Sequence, residues 1–218
     1  MKTIKIEYNL FADNPLDYID DVRLICEHKR YNLGSNKNGF RGNYFDTLDE
    51  YIHQYITYMY YDEIKEFIKS RYVITNATKY LDYYHKYIRS GYFDGYNKQF
   101  RNVLDQFIKK NFNILPLYMY EHGGITISTT PFSCSWDSDI VGFAYSKKDI
   151  DTNVIKNVVK EYDKYIKGEA IYINIMENDE VIETLDAYSS DDYKLLKDEL
   201  SLYNIDEAMY IKALYNII

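Results

Sequence analysis

The sequence predicts an α+β fold: one mixed, mainly antiparallel sheet, a helical insertion over about residues 46–110, and helices at the C-terminal end. Two observations carry this. Apolar residues alternate with polar ones at 2–8, and strand-like apolar runs bounded by turn residues recur within 113–145 and 169–185. Between the first two of these regions, residues 46–110 carry their apolar side chains at helical spacing.

Taken in order, Ile4, Ile6 and Tyr8 share one face of a strand against Thr3, Lys5 and Glu7 on the other. Val22, Leu24 and Cys26 alternate again and predict a second strand running toward His28. Residues 32–44, rich in Gly and Asn, predict a loop. Thr47-x-x-Glu50 fits a capping box, in which each side chain satisfies a free backbone N–H at the start of a helix. Leu48, Ile52, Tyr55, Ile56 and Met59 follow at helical spacing, and the pattern runs on to Phe67 and Ile68. Further helices are predicted over 76–90, stopped by Gly91, and over 97–110, with Phe100, Val103, Leu104, Phe107 and Ile108 as the inward stripe. Strands then cover 114–119, 125–129 and 141–145, with Gly123-Gly124 as a turn. A helix over 148–167 ends at Gly168. A hairpin pairs 169–176 with 180–185 around Asn178-Asp179, and helices over 191–202 and 206–216 follow. The expectation is one domain over 1–218, in which 46–110 could form a helical subdomain.

Composition bounds the function classes. The apolar fraction of 46% and charged fraction of 28% are those of a globular chain, which excludes wholesale disorder. No apolar run approaches the roughly 18 residues of a membrane span, and the N-terminal strand pattern offers no secretory stretch, so the expected location is the host cell cytoplasm. Its two cysteines, Cys26 and Cys134, then read as reduced thiols. A net charge of −8 argues against direct nucleic-acid binding, which needs a basic surface. It permits imitation of DNA's charge, although 26 basic residues are interspersed with the 34 acidic ones as in ordinary soluble proteins. The 27 tyrosines fall mostly on helical apolar stripes and are expected to pack.

Two polar, glycine-marked segments stand out from this scaffold. Residues 26–35 gather His28, Lys29, Arg30, Tyr31 and Asn32 where a predicted strand enters a glycine loop; in an acidic chain, that basic cluster suits a phosphate or carboxylate. Residues 118–145 combine Tyr120, His122, Ser128, Cys134, Trp136 and Asp137, which supply stacking surface, imidazole, hydroxyl, thiol and carboxylate within one meander.

Three strings in these segments, HKRYNLG at 28–34, LPLYMYEHGG at 115–124 and ISTTPFSCSWDS at 127–138, are similar to a family of hypothetical proteins frequent in phages, prophages and plasmids. That family reads HRRYNLG, LYLYDHSGI and STSPFSCPWDSGQVG. This chain departs from it at Lys29, Glu121, Gly123, Ser135 and Asp139-Ile140, and it lacks the family's later DSCWGFYG string, where only Asp186 near Ala187-Tyr188 stands. The resemblance implies a mobile-element accessory protein, for which counter-defence is a common occupation.

Three chemistries compete for these residues. A ligand pocket of His28, Arg30, Tyr31, Asn32, Tyr120, His122, Ser128, Trp136 and Asp137 would hold a nucleotide-like small molecule, with cations on phosphate and rings on the base. An acidic inhibitor of a host defence protein, of the DNA-mimic or anti-CRISPR type, would use Asp13, Asp17, Asp20 and Asp21, or Asp191, Asp192, Asp198 and Glu199. A hydrolase would need Cys134 as nucleophile, His122 as base and Asp137 to orient it. Cys26, His28, His122 and Cys134 have zinc-ligand chemistry at no standard spacing, so no metal is expected. With no P-loop, GxGxxG, HExxH or GxSxG, no cofactor is expected either.

Overall fold

The computed structural model describes residues 2–35, 47–71, 75–90, 98–134, 138–187 and 193–217. The predicted loop beyond residue 35, Gly91, and the site candidates Trp136, Asp137, Asp191 and Asp192 lie outside them.

The fold is α+β, and every described strand pair is antiparallel. The chain runs β1 (Lys2–Tyr8), a 3-10 turn (Pro15–Asp17), β2 (Val22–Cys26), α1 (Leu48–Met59), α2 (Tyr61–Arg71), α3 (Thr75–Ser90) and α4 (Lys98–Asn111). It continues through β3 (Phe112–Glu121), β4 (Ile125–Ser128), β5 (Ser138–Lys147), α5 (Thr152–Ile166), β6 (Ile171–Glu177), β7 (Glu180–Ala187), α6 (Tyr193–Ser201) and α7 (Glu207–Leu214).

The one predicted sheet is two. β1 joins the C-terminal hairpin in the order β1-β6-β7, while β2 joins the meander in the order β2-β5-β3-β4. Alternation fixes which face of a strand is apolar but not which strand it pairs with. Here Ile4 and Ile6 lie opposite Ile175 and Ile173, building a core with Leu200, Ile205 and Tyr210. The helical insertion therefore interrupts the four-stranded sheet alone, between β2 and β3.

That sheet is packed on both faces. Ile25, Phe112, Phe143 and Tyr145 face the helical insertion, joining Tyr51, Tyr55, Ile56, Ile64, Leu81 and Leu104. Val22, Leu24, Cys26, Leu117, Met119 and Ala144 face α5 through Ile155, Val158, Val159 and Tyr162. Val141 is extra in the β3–β5 ladder, where Leu117 pairs with Gly142 and Tyr118 with Ile140. Beside this bulge Gly142 (φ +155°) lies against β2, and a Cβ there would sit 1.9 Å from the Ile25 carbonyl oxygen.

Local signals behave as expected at most ends. The Thr47 hydroxyl accepts from Glu50 N at 3.3 Å, and Asn178 and Asp179 take the positive φ angles of a two-residue hairpin turn. The pattern read as one helix from 48 to 68 is two. Tyr60 leaves helical geometry (φ −122°, ψ 33°), lays its ring 4.7 Å from Phe112, and brings its hydroxyl 3.2 Å from that of Tyr145. Tyrosine packing is realised at Tyr51, Tyr55, Tyr84, Tyr145, Tyr162 and Tyr210, all buried.

Candidate functional site

The first segment leaves the sheet at the end of β2. Glu27 N donates to Val141 O at 2.8 Å, extending the ladder one step, and the chain then turns so that Arg30 N donates to His28 Nδ1 at 3.3 Å. It returns along β2. Leu33 is buried, Ser35 N donates to Leu24 O at 2.6 Å, and Leu24 N donates to Ser35 Oγ at 3.2 Å. Gly34 takes φ +76°, and a Cβ there would lie 2.5 Å from Leu24 O; only glycine fits such a left-handed, close approach. Its N–H donates to the Tyr162 hydroxyl at 2.8 Å. Much of HKRYNLG is thus a folding device. Cys26 belongs to it too: burial pushes its thiol up to about 12, so it is neither a thiolate nucleophile nor a ready ligand.

Residues 28–31 reach across to the second segment through one carboxylate. Glu121, at the end of β3, accepts from Arg30 Nη2 at 2.6 Å on one oxygen and from the Tyr31 hydroxyl at 2.7 Å on the other. That hydrogen bond, then burial and the carboxylate's charge, raises the Tyr31 pKa. The His28 and Tyr31 rings stack at 5.0 Å and 12°, with the Arg30 guanidinium 5.7 Å from the Tyr31 centroid. Lys29 and Asn32 are exposed beside them.

Tyr120 stands apart from this cluster. Successive residues of a strand face opposite sides, so Tyr120 lies across β3 from Glu121, with His122 at 6.2 Å and Phe132 at 5.5 Å as ring neighbours. Of the expected pocket residues, Tyr120 thus lies on the other face of β3 from Glu121, and Trp136 and Asp137 lie outside the described residues. Ser128 Oγ accepts from Thr130 N at 3.0 Å and lies 2.9 Å from Thr130 Oγ1, a role in shaping the turn. Cys134 is partly exposed, while Asp137, expected to orient the His122 base, lies outside the described residues. Among the described residues, no three His, Cys, Asp or Glu side chains gather to hold a metal ion, and no helix is long and apolar enough to cross a membrane.

Two groups are given no role in the sequence reading. Glu121, which ties the segments together, lies in the second string between Tyr120 and His122, but its partners are 90 and 91 residues away. His53, only 3% exposed, sits among the apolar positions of α1 with its Nε2 2.7 Å from Asp105 on α4, beside an Arg101–Asp49 pair joining the same helices. Burial lowers the His53 pKa against the raising pull of Asp105. Compared with known protein families, curated proteins and solved structures, the chain matches none.

Proposed function

We propose that this chain is an accessory protein of a phage or other mobile element that works in counter-defence by binding and sequestering a nucleotide-like small molecule. The binding surface is the junction of the two motif segments. The observation that carries this reading is the convergence of Arg30 and Tyr31 on Glu121. Glu121 holds one edge of a guanidinium whose side chain is 66% exposed, leaving its other donors for a phosphate. Lys29 adds a second exposed cation, and the stacked His28–Tyr31 pair offers a flat surface to a base. Trp136 and Asp137 enter this reading on sequence grounds. The resemblance to the mobile-element family supplies the biological setting.

A thermal-shift screen of the purified chain against nucleotides, cyclic oligonucleotides and NAD-derived signals tests the proposal. A ligand at a hundred times its Kd stabilises by about 2.7 kcal/mol, a readable shift. The expected result is a hit that Arg30→Ala weakens by about 1–3 kcal/mol, the loss of a charge-assisted pair. A screen with no hit overturns the reading.

A second reading, an acidic inhibitor of a host nuclease, is favoured by Asp13, Asp17, Asp20 and Asp21 all being exposed within one short stretch. Asp13 accepts from the Tyr18 hydroxyl at 2.7 Å and Asp20 pairs with Arg23 at 3.2 Å, so part of that charge serves the loop itself. That reading takes the lead only after a blank screen.

A further inference from the structure

A cavity of 720 Å³ lies against the three-stranded sheet, between β1, the turn after α6, and α7. Its floor is apolar, with Ile4, Met209 and Ala213 from the core of that sheet. Its rim places two lysines beside acidic groups, with Glu183 and Glu199 both acting on the lining Tyr203. Lys2 and Lys212 line it, and Glu177, opposite Lys2 in the β1–β6 register, is its one carboxylate among the described residues. Lys212 forms no ion pair among the described residues, which leaves its ammonium available to an anion.

Tyr203 gives the cavity a fixed aromatic wall. Its hydroxyl donates to Glu183 at 3.4 Å, and the Lys2 ammonium sits 5.0 Å from its ring centroid. Asn204 and Asn216 complete the lining with side-chain amides that are exposed and carry no structural hydrogen bond among the described residues. An amide offers both a donor and an acceptor, the pattern that reads the edge of a heterocyclic base. Cations, a held ring, two uncommitted amides and an apolar floor share one concave site of ligand size.

We infer that this cavity is a second binding site, for a ligand of the nucleoside monophosphate class. The phosphate lies at Lys212 and Lys2, and the base rests on the Met209–Ala213 floor beside Tyr203 with its edge toward Asn204 and Asn216. The inference stands apart from the Glu121 surface and does not depend on it. The same chemistry is offered by a free nucleotide and by the phosphorylated end of an oligonucleotide.

The test is calorimetric titration of the full chain with AMP, GMP and UMP, alongside adenosine, inorganic phosphate and a 5′-phosphorylated tetranucleotide. A mononucleotide should bind, with adenosine and phosphate each weaker by about ten-fold or more, since each makes only half of the contacts. Tetranucleotide binding tighter than AMP identifies a nucleic-acid end as the source; equal or weaker binding identifies the free nucleotide. Lys212→Glu should weaken binding by about ten-fold or more, and because Lys212 is an exposed residue on α7, its circular dichroism should match the parent's. Asn216→Ala, also exposed, provides a second variant with the same expected direction. Absence of mononucleotide binding at millimolar concentration overturns the inference, as does binding untouched by Lys212→Glu and Asn216→Ala. Binding lost in Arg30→Ala but kept in Lys212→Glu assigns the ligand to the Glu121 surface and removes it from this cavity. The reverse pattern supports this site and removes the mononucleotide from the Glu121 surface.

Discussion

The four-stranded sheet is covered on both faces and the three-stranded sheet on one, and the strands record the difference. In β5, six consecutive residues from Val141 to Ser146 are buried, whereas β6 alternates, with Ile171, Ile173 and Ile175 buried and Tyr172 and Asn174 only partly so. A doubly covered sheet has no open face to bind with, so its strand ends and turns are what remain accessible. Both motif segments sit there. The three-stranded sheet instead keeps a polar outer face, where Asn174 donates to Glu7 at 3.1 Å and accepts from Thr184 at 2.8 Å. Its edges are charged, with Lys2 and Lys5 on β1 and Glu180 and Glu183 on β7, a pattern that discourages edge-to-edge aggregation.

The largest predicted effects break the doubly covered sheet. Gly142→Val drives a side chain into the Ile25 carbonyl and should cost more than about 3 kcal/mol or prevent folding, read by denaturant titration or soluble yield. Gly124→Ala, with nothing within 4 Å of the added Cβ, should stay within about 0.5 kcal/mol of the parent. Phe143→Ala should cost about 3–5 kcal/mol and Ile173→Ala about 2–5 kcal/mol in the same titration. Equal tolerance of Gly142→Val and Gly124→Ala would show that the close approach of β2 to β5 is not what holds the sheet.

The contrast between the sheets also explains what the sequence revealed. Strands and helices were legible because the apolar period is a local property. Pairing was not: nothing in residues 2–8 says that β1 belongs with β6 and not with its neighbour β2. The Tyr60 break was hidden because apolar spacing continues on both sides, and its cause is contact with Phe112 and Tyr145 from elsewhere in the chain. The two polar segments stand out by composition, while how they meet was only partly legible. The alternation that predicted β3 already placed Tyr120 and Glu121 on opposite faces. The pairing of Arg30 and Tyr31 with Glu121 is tertiary and left no local trace.

An intermediate effect comes from the helical insertion that covers one face. Burial holds the His53 pKa below its ordinary value of about 6.5, with Asp105 and Asp49 opposing that shift and Arg101 reinforcing it. As pH falls below about 6.5, the unfolded chain takes up this proton before the folded one does. Stability should therefore decline from that pH downward, until the pH has passed through the lower folded-state value. His53→Gln, which keeps a donor for Asp105, should have a shallower decline between pH 7 and pH 5 in denaturant titrations. Parallel curves for the two proteins would remove His53 from the acid response.

A small change in stability is expected at the strand end, and there the size of the effect decides between scaffold and site. Glu121→Gln removes the charge that pairs with Arg30 but keeps an oxygen to accept from Tyr31. The Glu121 side chain is 27% exposed and that of Arg30 66%, so solvent screens the pair and the loss should be no more than about 1 kcal/mol. Ligand-induced stabilisation should fall by less than it does in Arg30→Ala, since the cation proposed to hold the phosphate remains while its orientation loosens. A loss of several kcal/mol without ligand would make Glu121 a structural clasp of the same kind as Gly34, and residues 28–31 would then be scaffold. A near-neutral substitution that weakens only the liganded state fits a bridge that serves binding, because a fold already closed by Leu33, Gly34 and Ser35 against β2 has little further need of it.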